Sequence, residues 1–350
     1  PLGVFPLPAR PAREGAPCDS LSPPVESPAR RLPFDTLREG RARDRIKSAR
    51  GLRVRGVKAA PSARSTSPLT ARSRTGGLVP DLLTIDGSMG EGGGQVLRTS
   101  LALSLLTGRP FRLERIRARR SKPGLRAQHL TCVLAATRVG AAETSGVSLG
   151  STELEFRPQA LLALDLELDL GTAGSTALVA QTVLPALLRA PGPSRVRLRG
   201  GTHNPLAPSF EFLERVYLPW IERLGATLHA ELERPGFFPK GGGRVEYRLT
   251  PGPLRPFELR ARGALREVHA EVYLSNLPDS VAERELAAVR EALGLAPSAC
   301  HVVRPHRSSG PGNALLITIV SEHATEVITA YGMHAKRAEA VAREAIDGLA

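Results

Sequence analysis

Two stretches of similar sequence decide the fold of this chain: GEGGGQVLRTSLALSLLTG at residues 90–108 and GTAGSTALVAQTVLPALL at residues 171–188. Each begins with a turn of small residues and continues into a segment dense in apolar residues, which is typical of a loop that leads into a largely buried helix. Because similar stretches of this kind recur along the chain, the sequence predicts an internal repeat of about 85 residues.

Strand and helix patterns surround both stretches in the same order. In the first unit we expect a strand at 82–86, a helix that ends at Gly108, a strand at 111–118 and a second helix that ends at Gly140. The second unit repeats this order between residues 166 and 225. Short apolar segments separated by glycine turns favour a mixed α/β (α+β) fold built from tandem units.

Composition divides the chain into four segments. We expect a disordered basic leader rich in Pro, Arg and Ser at 1–80, and the two repeated units at 81–250. A break rich in proline near residues 251–256 introduces a smaller inserted α/β domain at 251–322. The segment 323–350 reads as a strand and a helix, and we interpret it as the start of an incomplete third repeat of the large domain.

The chain is strongly basic, with a net charge of +14 over 350 residues, which favours polyanionic partners. Much of this charge lies in the leader, for which two interpretations stay open: a nucleic-acid tail or organelle address, and an extension without a folded role. No signal peptide or run of eighteen apolar residues is present, so we expect a soluble protein with no membrane partner. The three cysteines, Cys18, Cys132 and Cys300, show no metal-binding spacing and fit a reducing, cytoplasmic compartment.

The glycines at 90–94 allow an anion to approach the backbone at the start of a helix. They lack the patterns of a P-loop or a dinucleotide site, and a loop of this kind also serves tight packing. Glu91 would repel a phosphate directly, so its carboxylate suits a metal ion or a hydroxyl group better.

A second cluster, RIRARRSKPGLRAQHL at 115–130, concentrates arginines just before a helix. Guanidinium groups bind phosphate oxygens in a bidentate manner, whereas the alternative is a solvated basic strand edge. A third segment, RPGFFPKGGG at 234–243, places Phe237 and Phe238 beside Lys240. These rings either stack on a base with the lysine near phosphate, or belong to the core.

Six motifs in order resemble those of the RNA 3'-terminal phosphate cyclase family. They are DGSMGEGGGQVLR (86–98), IRARRSKPGLRAQHL (116–130), GTAGSTALVAQTVLP (171–185), RGGTHNPLAPS (199–209), RPGFFPKGGG (234–243) and GPGN (310–313). The resemblance covers residues 82–350 and none of the leader. It implies repeated units, each with a sheet backed by two helices, and a smaller inserted domain.

The resemblance also implies an activity. ATP and a divalent metal, Mg²⁺ or Mn²⁺, convert an RNA 3'-phosphate to a 2',3'-cyclic phosphodiester through an adenylylated histidine and an RNA adenylate. Adenylation makes chemical sense, because a phosphate monoester resists attack until it becomes a better electrophile.

The resemblance further assigns site residues by motif. Glu91 is the catalytic loop carboxylate and a candidate metal ligand. The residues expected to contact ATP are Gln95, Gln181 and Pro208. The residues expected to bind the RNA phosphate are Arg117, Arg120, Lys122, Gln128 and His129.

This sequence departs from the family pattern at one point. The adenylylated histidine of the family lies beyond the last helix of this chain, and none of the eight histidines matches its motif. We therefore expect the nucleophilic histidine to be absent from the chain and the C-terminus to be truncated. The alternatives are a noncatalytic cyclase-like RNA-binding protein of ribosome assembly and an enolpyruvyl transferase, for which the phosphoenolpyruvate motifs are not seen.

Overall fold

The computed structural model describes residues 81–90, 93–305 and 307–350, which form three four-stranded sheets with helices packed on them. This arrangement confirms the predicted mixed α/β class. The leader predicted at 1–80 lies outside the described residues.

The first sheet has the strand order β1-β2-β4-β3, with β1 and β2 parallel and β4 antiparallel to both of its neighbours. Its elements are β1 (Leu83–Asp86), α1 (Gln95–Thr107), β2 (Phe111–Glu114), α2 (Ala127–Val139), β3 (Glu143–Ser145) and β4 (Leu154–Arg157). The predicted stop of α1 is confirmed, because Gly108 adopts φ 71° and donates its N–H to the Ser104 carbonyl at 2.9 Å.

The second sheet has the order β5-β6-β8-β7 and the same pattern of parallel and antiparallel pairs. Its elements are β5 (Asp165–Asp169), α3 (Thr176–Leu187), β6 (Ser194–Gly200), α4 (Phe210–Phe212), a π-helical segment (Leu213–Tyr217), α5 (Leu218–Arg223), β7 (Thr227–Arg234) and β8 (Gly243–Thr250). The matching order and pairing confirm the internal repeat.

The two repeated units share one hydrophobic core. Alternation along β6 directs Val196 and Leu198 into this core. The opposite face of β6 carries arginines that pair with acidic side chains of the adjacent strands, such as Arg195 with Glu246. Helices α1, α2 and α3 contact one another, so they form a common layer behind both sheets.

The third sheet has the order β10-β9-β11-β12. Its elements are β9 (Leu265–Ser275), α6 (Asp279–Leu293), β10 (Cys300–Val303), β11 (Gly312–Ser321), β12 (Thr325–Tyr331) and α7 (Ala338–Asp347). Strand β12 pairs antiparallel with β11 along its whole length, and α7 packs on α6. The predicted boundary between 322 and 323 therefore falls inside a β-hairpin, and the segment 323–350 joins the sheet that precedes it.

Both faces of the third sheet are buried. Successive residues of β11 point to opposite sides, so they contribute to two different cores. Leu315 and Ile317 pack in the core below α6 and α7, whereas Ala314 and Leu316 pack on the side of Phe237.

None of the helices in the described part of the chain is long and apolar enough to cross a membrane.

Candidate phosphate-binding site

The glycine loop connects β1 to α1 and begins with an Asx-type turn. The Asp86 carboxylate accepts hydrogen bonds from the backbone N–H of Ser88 at 2.9 Å and from its hydroxyl at 2.7 Å, and it also pairs with Arg115. These hydrogen bonds, the one from the Ser88 side chain first, lower the pKa of Asp86. A side chain at Gly87 is excluded, because a Cβ would lie 2.7 Å from the Glu114 carbonyl oxygen.

The arginine loop, residues 115–124, follows β2 and corrects the sequence interpretation. A strand was predicted over 111–118, but β2 ends at Glu114. Arg115 and Arg117 take left-handed conformations with φ 51° and 55°, which end the strand and fold the loop back toward the glycines.

Side chains of the arginine loop reach the glycine loop. The Arg119 guanidinium donates to the Gly90 carbonyl at 3.0 Å, and the Arg120 guanidinium lies so near Gly93 that a Cβ there would be 3.1 Å from Nη2. Arg117 instead donates within its own loop, to the carbonyls of Lys122 at 2.6 Å and Gly124 at 3.1 Å. Burial, followed by the charges of Arg126 and Arg120, lowers the pKa of Arg117.

His129 reaches the glycine loop from the first turn of α2. Its Nδ1 accepts the backbone N–H of Arg126 at 3.2 Å, so the ring proton resides on Nε2. A Cβ at Gly94 would collide with this Nε2, so the histidine fits only against glycine. Burial, with the charges of Arg117, Arg98 and Arg126, lowers the pKa of His129 to about 4, which keeps the imidazole neutral at physiological pH.

Gln128, which precedes His129 on α2, contacts the second repeated unit. The Gln128 side-chain oxygen accepts the backbone N–H of Ser175 at 2.7 Å, and Gln128 also packs against Gly174. Its predicted phosphate contact therefore stays a prediction, whereas its observed contact joins α2 to the loop before α3.

Arg98 is a buried cation that the sequence interpretation missed. It lies on α1 with 7% of its surface exposed, and a Cβ at Gly94 would lie 2.8 Å from its Nη1. Its guanidinium donates to Gln95 at 2.7 Å and to Gln181 at 3.3 Å, which brings together two of the residues predicted to contact ATP. The available signal was a single charged residue within an otherwise apolar helix.

Pro208, the third predicted ATP contact, lies in the 201–209 loop after β6. Ser209 beside it contacts the Thr329 hydroxyl of β12 at 3.3 Å, so this loop meets the third sheet. His203 in the same loop is 1% exposed, and its Nε2 lies 3.0 Å from both carboxylate oxygens of Glu211. Although burial by itself raises it, the pKa of Glu211 is lowered by the charge and hydrogen bond of His203.

The described part of the site offers no metal centre. Among those residues no group of three or more His, Cys, Asp or Glu side chains is arranged to hold a metal ion. The Asp86 oxygens are occupied by Ser88 and Arg115. Glu91, the predicted catalytic carboxylate and metal ligand, lies outside the described residues, so the predicted metal role stays untested.

Lys122, one of the predicted phosphate-binding residues, is exposed at the end of the arginine loop.

Several known proteins are similar in sequence to this chain. The profile of the family described as RNA 3'-terminal phosphate cyclase matches residues 89–346. The chain is similar to the RNA 3'-terminal phosphate cyclases of Ectopseudomonas mendocina, with 48% identity over 76% of this chain and 78% of the relative, and of Koribacter versatilis, with 47% identity over 76% and 75%. The cyclase of Salmonella agona is 44% identical over 75% of this chain and 76% of the relative.

A solved structure, the enolpyruvyl transferase NikO from Streptomyces tendae, is 13% identical, with a TM-score of 0.28 over 69% of this chain and 44% of that one. This likeness is too weak to bear on fold or function. The profile match runs from the glycine loop into α7, so it spans the arginine loop and the third sheet. The chain therefore belongs to the RNA 3'-terminal phosphate cyclase family of enzymes.

Proposed function

We propose that this protein uses ATP to convert an RNA 3'-terminal phosphate to a 2',3'-cyclic phosphodiester. The observation that carries the proposal is the cluster of Arg98, Arg120 and His129 against Gly93 and Gly94, which we call the phosphate pocket, in a chain of this family. Guanidinium and N–H donors directed at one loop suit the oxygens of a phosphate group.

In this proposal the arginine loop binds the 3'-phosphate of the RNA. Arg120 and Lys122 supply charge, and Arg117 shapes the loop through its hydrogen bonds to the two carbonyls. A dianionic phosphate in a half-buried pocket requires such cations, because an uncompensated buried charge is costly.

His129 acts in this pocket as a hydrogen-bond donor. One ring nitrogen accepts the Arg126 N–H, so the other carries a proton and has no lone pair for attack on phosphorus. We accordingly exclude His129 as the adenylylated nucleophile and assign it to orientation of a phosphate oxygen.

The ATP side of the site is proposed to include Gln95 and Gln181, which Arg98 already holds together. Pro208 would approach the nucleotide from the loop that meets the third sheet. ATP enters as a substrate: it transfers AMP, first to the enzyme and then to the RNA phosphate, with release of pyrophosphate.

Ring closure then follows by displacement. The 2'-hydroxyl oxygen of the terminal ribose forms a bond to phosphorus, the bond from phosphorus to the AMP oxygen breaks, and the hydroxyl proton leaves to solvent. The position of Arg120 and the donor nitrogen of His129 suits them to stabilise charge on the phosphate oxygens during this step. We assign the adenylylated residue to none of the described side chains, and the role of Glu91 as a metal ligand stays a prediction.

An end-cyclisation assay tests the proposal. Purified full chain is incubated with ATP, Mg²⁺ and an RNA oligonucleotide that carries a labelled 3'-phosphate, and the product is scored by resistance of that phosphate to phosphatase. Labelling of the protein by ATP labelled at the α-phosphate is measured in parallel. Resistance that depends on ATP supports the proposal.

The affinity for RNA with a 3'-phosphate and for RNA with a 3'-hydroxyl is measured alongside this assay. If the protein binds the 3'-phosphate RNA more tightly, yet neither cyclises it nor takes label, the result fits both the expected absence of the nucleophilic histidine and a noncatalytic RNA-binding relative. The same assay on a version extended through any downstream reading frame separates the two, because only a cyclase gains activity on extension. Equal binding of both RNA ends contradicts the assignment of the arginine loop to the terminal phosphate.

A further inference from the structure

A second cationic surface lies beside the candidate site, where the loop after β7 meets the loop before β11. The Ser309 hydroxyl donates to the Gly241 carbonyl at 2.6 Å, and a Cβ at Gly310 would lie 2.7 Å from Cδ of Lys240. A Cβ at Gly312 would collide with the Phe237 ring. Two glycines thus leave room for Lys240 and Phe237 of the other loop, and the two loops are in close contact.

The two phenylalanines of this surface have separate roles. Phe237 is 3% exposed and stacks on His203 with ring centroids 4.8 Å apart, so it belongs to the core. Phe238 is 50% exposed, and its backbone N–H donates to the His203 carbonyl at 3.2 Å. The buried ring therefore anchors the loop, while its neighbour presents an aromatic face to solvent.

The two loops that form this surface carry basic residues. The segments 234–244 and 300–313 contain no acidic residue. Lys240 and Arg307 are exposed, and neither has an ion-pair or hydrogen-bond partner for its side chain within the described residues. Cations without acidic partners, next to an exposed aromatic ring, are the features of a surface that binds single-stranded nucleic acid.

The surface is continuous with the candidate site through the loop before α3. A Cβ at Gly241 would lie 2.6 Å from Cα of Ala173, so the two loops are in close contact. Two residues further on, Ser175 is bonded to Gln128 at the start of α2, beside His129. An RNA strand whose 3' end lies in the phosphate pocket would therefore pass beside this surface.

We propose that Phe238, Lys240 and Arg307, which we call the lysine platform, bind the single-stranded RNA that precedes the 3'-phosphate. One base stacks on Phe238, and Lys240 and Arg307 contact the phosphodiester groups on either side of it. This inference rests on the proposed function for the chemistry at the RNA end, and it adds a site that selects substrate by length.

The test compares long and short RNA on the full chain. A 12-nucleotide RNA with a 3'-phosphate and a 5'-fluorophore is titrated by fluorescence anisotropy, and a dinucleotide with a 3'-phosphate is measured by competition. For Phe238→Ala and Lys240→Ala we expect the Kd of the 12-mer to rise about tenfold each, while that of the dinucleotide stays unchanged. Lys240→Ala should also reduce the slope of log Kd against log salt by about 0.7.

Three variants serve as controls. Arg138→Ala removes an exposed charge at the C-terminal end of α2, so it should leave both Kd values unchanged. Phe238→Tyr keeps the stacking ring and should restore affinity, whereas Phe238→Leu keeps apolar volume without the ring and should not. A thermal melt of each variant checks that the fold is retained.

The outcomes separate the lysine platform from the proposed function. The platform is wrong if the 12-mer and the dinucleotide lose affinity equally, if Phe238→Leu binds like the original protein, or if Arg138→Ala weakens binding as much as Lys240→Ala. If the original protein does not distinguish a 3'-phosphate from a 3'-hydroxyl, the proposed function fails. A selective loss for the 12-mer in Phe238→Ala would still support the platform in that case.

Discussion

The loops that follow β1 and β5 occupy equivalent places in the two repeated units, yet their surroundings differ. The first faces Arg98, Arg120 and His129 across Gly93 and Gly94. The second is closed by protein: Gly201 donates to the Gly174 carbonyl at 2.7 Å, Thr176 donates to the Gly201 carbonyl at 2.8 Å, and Gln128 accepts from Ser175. The two units share a backbone arrangement, whereas their side chains give the two loops different surroundings, and we propose an anion site only for the first.

Two buried histidines show the same difference in electrostatic terms. His203 near the second loop has a carboxylate partner, Glu211, whereas His129 near the first loop lies among arginines. One histidine therefore stabilises the fold through a pair, and the other stays neutral and offers an N–H group. Four predictions test this division, from the largest expected effect to the smallest.

His203→Ala should reduce the free energy of unfolding by about 3–5 kcal/mol, because it leaves the buried Glu211 carboxylate without its histidine partner. Urea unfolding measures the change. Adding Glu211→Gln to the first substitution removes the uncompensated charge and should recover part of the loss. A loss below about 1 kcal/mol for the single variant would show that the pair does not stabilise the second unit.

The free energy of unfolding should decrease at acidic pH because of His129. Its pKa in the folded state, about 4, lies below the ordinary value of 6.5, so the unfolded chain binds this proton more readily. The contribution of His129 is complete above pH 6.5, declines as the pH falls toward 4 and totals about 3 kcal/mol. His129→Gln should flatten the pH dependence of unfolding in that window. An unchanged slope would mean that the imidazole is not held neutral.

Gly94→Ala should reduce affinity for the RNA 3'-phosphate about 100-fold, because the new Cβ displaces His129 and crowds Arg98 at 2.8 Å. A glycine change in the second loop, Gly174→Ala, brings a Cβ only within 3.1 Å of Gln128 and should leave that affinity within a few-fold of the original. Comparable losses in the two variants, measured by the anisotropy titration, would contradict the division between the loops.

Gln128→Ala should cost about 1–2 kcal/mol of stability, because the N–H of the buried Ser175 loses its acceptor. Gln128→Glu keeps an oxygen in place and is the matched control. Thermal unfolding detects the difference as a shift of a few degrees. If alanine and glutamate behave alike, the bond does not join α2 to the second loop.

Much of the fold was predictable because it depends on patterns that recur. The repeat, the stop of α1 at Gly108 and the strand that precedes the glycines all follow from periodicity and glycine placement. Family resemblance placed Gln95, Gln181, Arg120 and His129 in one site. In the structure Gln95 and Gln181 both accept hydrogen bonds from Arg98. Arg120 and His129 lie against Gly93 and Gly94.

The remaining features depend on geometry that the sequence does not display. The apparent strand at 111–118 alternates like a real one, but left-handed residues that are not glycine end it early. The strand and helix of 323–350 were recognised as elements, yet their assignment to a sheet required the pairing of β12 with β11. The pairing of His203 with Glu211 was not apparent in the sequence, because Glu211 is eight residues away and belongs to the following helix.

The start of α2 has a consequence for how the two halves of the protein diverge. Consecutive residues, Gln128 and His129, contact the second-unit loop and the first-unit loop respectively. A chimera that takes one repeat from this protein and the other from a relative would separate contacts that a single dipeptide joins. Exchange between family members should therefore succeed only when residues 93–94, 128–129 and 173–175 come from the same parent.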